Sequence, residues 1–151
     1  MTTEVGFYHL TRGRIEQVLP RLMVKVLEAG HRAVVRGRDP QLLRLIDDKL
    51  WTEIPESFLP HALYPCENAE AQPILLTEGQ EVPNGAKVAV LLDPELPEDA
   101  GQFSRLLLMF DGEDSAALAQ AREVWKKIKQ VEGLTASYWT QGEKGGWQKS
   151  A

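Results

Sequence analysis

The chain has 151 residues, of which 43% are hydrophobic and 26% charged, proportions typical of one folded domain rather than of a disordered or collagen-like chain. Seventeen Lys and Arg against 22 Asp and Glu give a net charge of −5, which argues against broad coating of DNA or of an anionic membrane. No apolar run approaches the ~20 residues of a membrane helix, and the first residues do not resemble a secretion signal. We therefore expect a cytoplasmic protein without membrane contact.

The first part of the chain predicts two strands, each followed by a helix. The aromatic and β-branched run at 5–10 and the compact apolar run at 31–36 predict strands. Between them, apolar residues recur at helical spacing over 18–27. Asp39 and Pro40 then predict the N-cap and the first turn of a second helix.

The second part of the chain continues this alternation. Three prolines within 54–65 indicate an ordered apolar loop without regular structure. Further apolar runs predict strands at 73–77, 87–92 and 105–110. A long helix is predicted over 115–131, and the residues from 134 onward predict either a terminal hairpin or a loose tail.

Alternating strands and helices predict an α/β domain with a mostly parallel sheet and helices on both faces. We expect residues 1–141 to form this single domain and residues 142–151 to be a tail or a short hairpin strand. There is neither a Gly-x-Gly-x-x-Gly nor a P-loop motif, so no nucleotide cofactor is predicted. The single cysteine, Cys66, excludes an internal disulfide and a cysteine-based zinc site.

One enzyme hypothesis stays open. His9, Asp93 and Asp111 end or follow predicted strands, where α/β active sites lie. Two aspartates there would suit Mg²⁺ and phosphoryl transfer or hydrolysis. The alternative interpretation is structural, because Asp93-Pro94 and Asp111-Gly112 are ordinary turn pairs.

The last predicted helix carries a local excess of positive charge. Residues 121–129 have a net charge of +3, against −8 for the rest of the chain. At about 100° per residue, an apolar stripe from Ala117 to Val131 faces the sheet, and a cationic arc containing Trp125 is displaced from it by roughly 130°. This arc is either a solvated face that complements the helix dipole or a receptor for an acidic and apolar ligand such as a peptide ending in Phe.

A second aromatic segment follows the second predicted helix. Leu50-Trp51 is separated by six residues from Phe58-Leu59-Pro60-His61. Large aromatics beside a proline-rich loop either complete the core or form a hydrophobic patch for a partner. Spacing alone favours the core.

These segments resemble the chi subunit family of bacterial DNA polymerase III over the full length of the chain. The most specific part of the resemblance is Trp-x6-Phe-x-Pro-His. The matching segments are Phe7-Tyr8, Leu50-Trp51 with Glu56 to His61, Ala121-Arg122-Glu123 with Trp125, Gly133, Tyr138-Trp139-x-Gln141 and Gly146-Trp147.

The resemblance implies a Rossmann-like α/β domain without cofactor or catalytic activity. It implies an accessory subunit that links the clamp-loader assembly to single-stranded-DNA-binding protein, whose acidic Phe-terminated C-terminal tail docks beside the last helix. The family pocket corresponds here to Arg122 and Trp125, with Phe110 and Gly133 at its wall. We add Lys126 and Lys129 from helical geometry. Leu118 stands where a well-studied type of member has Lys, so Lys126 or Lys129 is expected to compensate.

The resemblance also implies a second interface and an indirect association with single-stranded DNA. The second interface would bind the psi subunit or another replication or repair partner. The expected residues are Trp51, Phe58, Leu59, Pro60 and His61.

Overall fold

A computed structural model describes residues 2–11, 13–53, 59–142 and 146–150. In this part of the chain the strands are β1 (Thr3–Leu10), β2 (Ala33–Arg36), β3 (His61–Leu63), β4 (Ile74–Thr77), β5 (Val88–Leu91), β6 (Arg105–Asp111), β7 (Leu134–Gln141) and β8 (Trp147–Lys149). The helices are α1 (Ile15–Glu28), α2 (Pro40–Thr52) and α3 (Ser115–Ile128). Short 3-10 turns lie at Ala69–Ala71 and Ala100–Gln102.

The described strands form one sheet in the order β3-β4-β2-β5-β6-β1-β7-β8. Every neighbouring pair is parallel except β7 and β8, which are antiparallel. The predicted α/β class is therefore confirmed, and the end of the chain forms a hairpin strand.

The core lies in two layers, one on each face of the sheet. Leu19 of α1 and Ile46 of α2 pack with Tyr8 and Leu10 of β1 on the first face. On the second face Val124 of α3 packs with β1 and β6 and with the segment that precedes β6. Side chains alternate along a strand, so neighbouring residues of β1 and β7 serve opposite layers.

Helix α2 begins as the sequence predicts. The Asp39 side chain accepts a hydrogen bond from the Gln41 backbone N–H at 3.0 Å, and Pro40 lies at the first helical position. The proline has no N–H to leave unpaired there, and its fixed φ favours the first turn.

Two predicted boundaries are wrong. The segment 54–65 is not wholly irregular, because β3 pairs with β4 at the edge of the sheet. The sequence does not predict β3 because a strand of three residues is too short to show an alternating pattern, and its hydrogen bonds come from β4. Helix α3 ends at Ile128 rather than near Val131, which is 42% exposed. The chain then turns through Gly133, whose φ of 89° favours glycine.

An ion pair between the buried Arg36 and the half-buried Asp99 joins β2 to the segment before β6. Arg36 donates from both terminal nitrogens to Asp99, at 2.9 and 2.8 Å, and also donates to the Gln80 carbonyl at 2.7 Å. The guanidinium lies 5.2 Å from the centre of the Phe103 ring. These hydrogen bonds hold the pKa of the Asp99 carboxyl below its ordinary value.

Removing Asp99 leaves the Arg36 charge buried without its carboxylate. We expect Asp99→Ala to lower the free energy of unfolding by about 3 kcal/mol, measured by urea denaturation at pH 7. The wild-type contribution is complete above the unfolded pKa of about 3.9 and is lost as the pH falls through the lowered folded pKa. The difference in the free energy of unfolding between wild type and Asp99→Ala should therefore become smaller at acidic pH. A constant gap, or an equal loss in the exposed control Asp48→Ala, would contradict this assignment.

Candidate functional site

Helix α3 is held against the sheet by its cap and by its apolar stripe. Asp114 accepts hydrogen bonds from the backbone N–H groups of Ala116 and Ala117, at 3.0 and 3.2 Å. Ala121, Val124 and Ile128 are buried. This packing leaves Arg122 and the lysines at 126, 127 and 129 exposed on the C-terminal half of the helix.

Trp125 packs edge-on into an aromatic cluster at the margin of the second core layer. Its ring centre lies 5.2 Å from that of Phe7 and 5.9 Å from that of Tyr138, with interplanar angles of 72° and 79°. Phe7 and Tyr138 are register partners on β1 and β7, and their rings are stacked. Trp125 is half-buried, so it extends the core and also presents part of its indole to solvent.

Two cations flank this indole. Lys129 places Nζ 4.9 Å from the centre of the Trp125 ring, within cation–π range. Arg122 is exposed one turn before Trp125. Burial raises the pKa of the Tyr138 hydroxyl, and the positive charge of Arg122 partly opposes that rise.

Lys126 differs from the other two cations. Its Nζ lies 3.5 Å from Glu123 Oε1, and both side chains are largely exposed. This pair is one helical turn apart, and each charge is partly offset by the other. Of the two lysines expected to compensate for Leu118, Lys129 is the one in contact with the indole.

The floor beneath Tyr138 is built by His9 and Phe110. His9 Nδ1 lies 2.7 Å from the Tyr138 hydroxyl oxygen, and the His9 and Phe110 ring centres are 5.3 Å apart. Phe110 is only 1% exposed, so it supports the surface from below. We name Arg122, Trp125, Lys129 and Tyr138 the Trp125 site. Tyr138 is missing from the predicted site residues, although the paired aromatics of 138 and 139 were a visible signal.

The second predicted interface is only partly within the described residues. Trp51 is 51% exposed, and its ring centre lies 4.3 Å from that of His61. Leu59 is 3% exposed and Pro60 is half-buried, whereas Phe58 lies outside the described residues. The core interpretation of the large aromatics is therefore wrong for Trp51, whereas Leu59, which was predicted as an interface residue, is buried. Leu50 takes the core-facing position, and the next residue is about 100° around the helix.

His61 supports this surface from the edge of the sheet. Its side chain is fully buried, with Nε2 3.0 Å from Asp47 Oδ1 and Nδ1 2.6 Å from the Leu59 carbonyl oxygen. Both ring nitrogens are engaged, so the ring is fixed against α2. We name Trp51, Leu59, Pro60 and His61 the Trp51 patch.

The aspartates of the enzyme hypothesis accept hydrogen bonds from the backbone. Asp93 accepts a hydrogen bond from the Arg38 backbone N–H at 2.9 Å, and Asp111 accepts one from the Glu113 backbone N–H at 2.9 Å. Within the described ranges, His, Cys, Asp and Glu form no group of three or more that could hold a metal ion. The Asp111 contact is that of an ordinary Asp turn, whereas the Asp93 contact joins the loop after β5 to the loop after β2.

Comparison with known proteins identifies a family for this chain. Residues 1–136 match the family model of the DNA polymerase III chi subunit, HolC. The chain is 24% identical to a probable DNA polymerase III subunit chi of Rickettsia prowazekii, an alignment that covers 98% of this chain and 92% of the relative. It is also 24% identical to the DNA polymerase III subunit chi of Haemophilus influenzae, over 85% of this chain and 92% of the relative.

The family match covers most of the chain and includes both the Trp51 patch and most of the Trp125 site. Among the described helices, none has the length and apolar character needed to cross a membrane. The resemblance implies a replication subunit family and an α/β fold with a mostly parallel sheet. The family match confirms the first expectation, and the structure confirms the second. The chain belongs to the DNA polymerase III chi subunit family.

Proposed function

We propose that this chain is a non-catalytic accessory subunit that links the clamp-loader complex to single-stranded-DNA-binding protein during replication. The proposed contact is between the Trp125 site and the acidic, Phe-terminated tail of that protein. The observation that carries the proposal is a half-buried indole flanked by Arg122 and Lys129 on an otherwise acidic chain.

Each group of the tail has a chemical counterpart in this site. The terminal carboxylate would accept charge-assisted hydrogen bonds from Arg122. The terminal phenyl ring would pack against the exposed part of Trp125, beside Tyr138. Lys129 has a flexible stem, so its ammonium can swing from the indole toward the acidic residues that precede the Phe.

The remaining predicted residues take supporting roles in this proposal. Phe110 is buried and acts through His9 and Tyr138, which it contacts. Gly133 supplies the positive φ with which the chain turns between α3 and β7. Lys126 contributes mainly through its field, since Glu123 already engages it.

A peptide titration tests the proposed tail contact. Arg122→Ala should weaken binding of a labelled acidic peptide ending in Phe by about tenfold, because one charge-assisted contact is lost. Trp125→Ala should weaken binding similarly. The exposed Lys127→Ala variant is the matched control, and its affinity should stay within about twofold of wild type, because that lysine lies outside the site and loses only a screened charge. Fluorescence anisotropy at low and high salt would give the affinities.

Thermal unfolding separates binding loss from misfolding. Arg122 is exposed, so Arg122→Ala should leave the free energy of unfolding within about 0.5 kcal/mol of wild type. Trp125→Ala should lower it by about 2 kcal/mol, because the ring packs on Phe7 and Tyr138. If both variants were folded and bound the peptide as tightly as wild type, the Trp125 site would be excluded as the binding site of the tail.

We also propose that the Trp51 patch binds the psi subunit or another replication partner. Trp51→Ala should abolish capture of the purified clamp-loader assembly while the variant remains folded by circular dichroism, since exposed aromatics at interface centres contribute strongly to binding. Leu45→Ala provides a control, because Leu45 is also exposed and apolar on α2. Unfolding of the Trp51 variant, or equal capture by both variants, would remove this interface from the proposal.

A further inference from the structure

A groove lies on the opposite face of the sheet from the Trp125 site. It runs between the C-terminal half of α1 and the strands β1, β7 and β8, and its volume is about 340 Å³. Three aromatic residues line it: Tyr8, Trp139 and Trp147. The two tryptophans are half-buried, so their indoles remain partly accessible.

The rings form an ordered platform rather than a random apolar patch. Tyr8 and Trp139 are stacked, with ring centres 6.0 Å apart and an interplanar angle of 4°. Trp147 stands edge-on to Tyr8 at 5.0 Å. Trp139 Nε1 donates to the Ser137 hydroxyl at 3.0 Å, so its polar edge is already satisfied and its orientation is fixed.

The charge of the groove is opposite in sign to that of the chain. Lys25, His31 and Arg105 line it, and none of the described lining residues is acidic. Lys149 lies opposite Trp139 in the β7–β8 register, on the same face of the sheet. A chain of net charge −5 therefore carries a basic rim around an aromatic floor.

Arg105 retains donor capacity. Its Nη2 lies 3.4 Å from the Tyr8 hydroxyl and 3.8 Å from Glu4 Oε1, both weak contacts. Its Nε is buried and has no hydrogen-bond partner among the residues the structure describes, so the terminal nitrogens are the donors available to a ligand. The guanidinium lies beside the aromatic residues, and its ion pair with Glu4 is long and half-exposed.

We propose that this groove binds single-stranded DNA, with a base stacked on the accessible part of the Trp147 indole and phosphates contacted by Lys25 and Arg105. Stacking on aromatic side chains combined with backbone cations is how single strands are bound without sequence preference. The cations come from two separate elements, α1 and the start of β6.

The acidity of the whole chain keeps this contact weak for free DNA. A subunit tethered to protein-coated single strands would experience a high local strand concentration, and a weak contact then becomes effective. The groove proposal itself does not depend on the tail contact, because it is tested with the chain and DNA alone.

Direct binding is measured with the full chain and a fluorescein-labelled oligothymidine by anisotropy at low salt. Lys25→Gln and Arg105→Gln should each weaken binding by about threefold to tenfold. Each should also reduce the slope of log affinity against log salt concentration by roughly one, as expected for the loss of one phosphate contact. Trp147→Ala should weaken it by about fivefold or more, and Trp147→Phe should restore most of that loss. Lys127→Gln, on the opposite face, should leave binding unchanged.

The proposal would be overturned if the chain did not bind oligothymidine at low salt. It would also be overturned if Lys127→Gln weakened binding as much as Lys25→Gln and Arg105→Gln do, or if a duplex of the same length bound with equal affinity. Because Lys25 is exposed on a helix, Lys25→Gln keeps the test valid even if Trp147→Ala disturbs the hairpin. The Phe-terminated acidic peptide serves as a cross-check. Its affinity should be unaffected by Lys25→Gln, and a loss of peptide rather than DNA binding would assign the groove to a peptide and reject the DNA proposal.

Discussion

The edge-on packing of Trp125 against Phe7 and Tyr138 is the contact on which the Trp125 site depends. Phe7 is completely buried in β1, and Tyr138 is its register partner on β7. Each aromatic pair contributes about 0.5–1.5 kcal/mol beyond area burial, enough to fix one indole against the sheet. With that ring fixed, helical geometry places Arg122 and Lys129 beside it.

Alternation along β1 and β7 explains how one small sheet carries two aromatic surfaces. Phe7 and Tyr138 face α3, whereas Tyr8 and Trp139 face the groove beside α1. Adjacent residues on a strand point to opposite faces, so two consecutive aromatics on each strand build both surfaces. Local cations beside each surface give an acidic chain two places suited to anionic ligands.

Much of the fold can be predicted from the sequence because helices and strands leave apolar patterns that repeat within a few neighbouring residues. The apolar runs of β5 and β6 predict strands buried on both faces, and the Asp39-Pro40 pair predicts the start of α2. The cationic arc of α3 is likewise set by helical geometry. What the patterns miss depends on distant partners: β3 exists because β4 pairs with it, and Arg36 is buried because Asp99 comes from far along the chain. Spacing alone wrongly favours the core for Trp51, because one residue of helix rotation separates the core position of Leu50 from the exposed position of Trp51.

We expect Arg122 to bind the terminal carboxylate of an acidic, Phe-ended chain beside Trp125. A double-mutant cycle measured by isothermal titration calorimetry isolates this contact, combining wild type and Arg122→Ala with peptides that end in a free carboxylate or in an amide. The expected coupling energy between the guanidinium and the carboxylate is about 1–2 kcal/mol. Losses that add to within about 0.3 kcal/mol would contradict it.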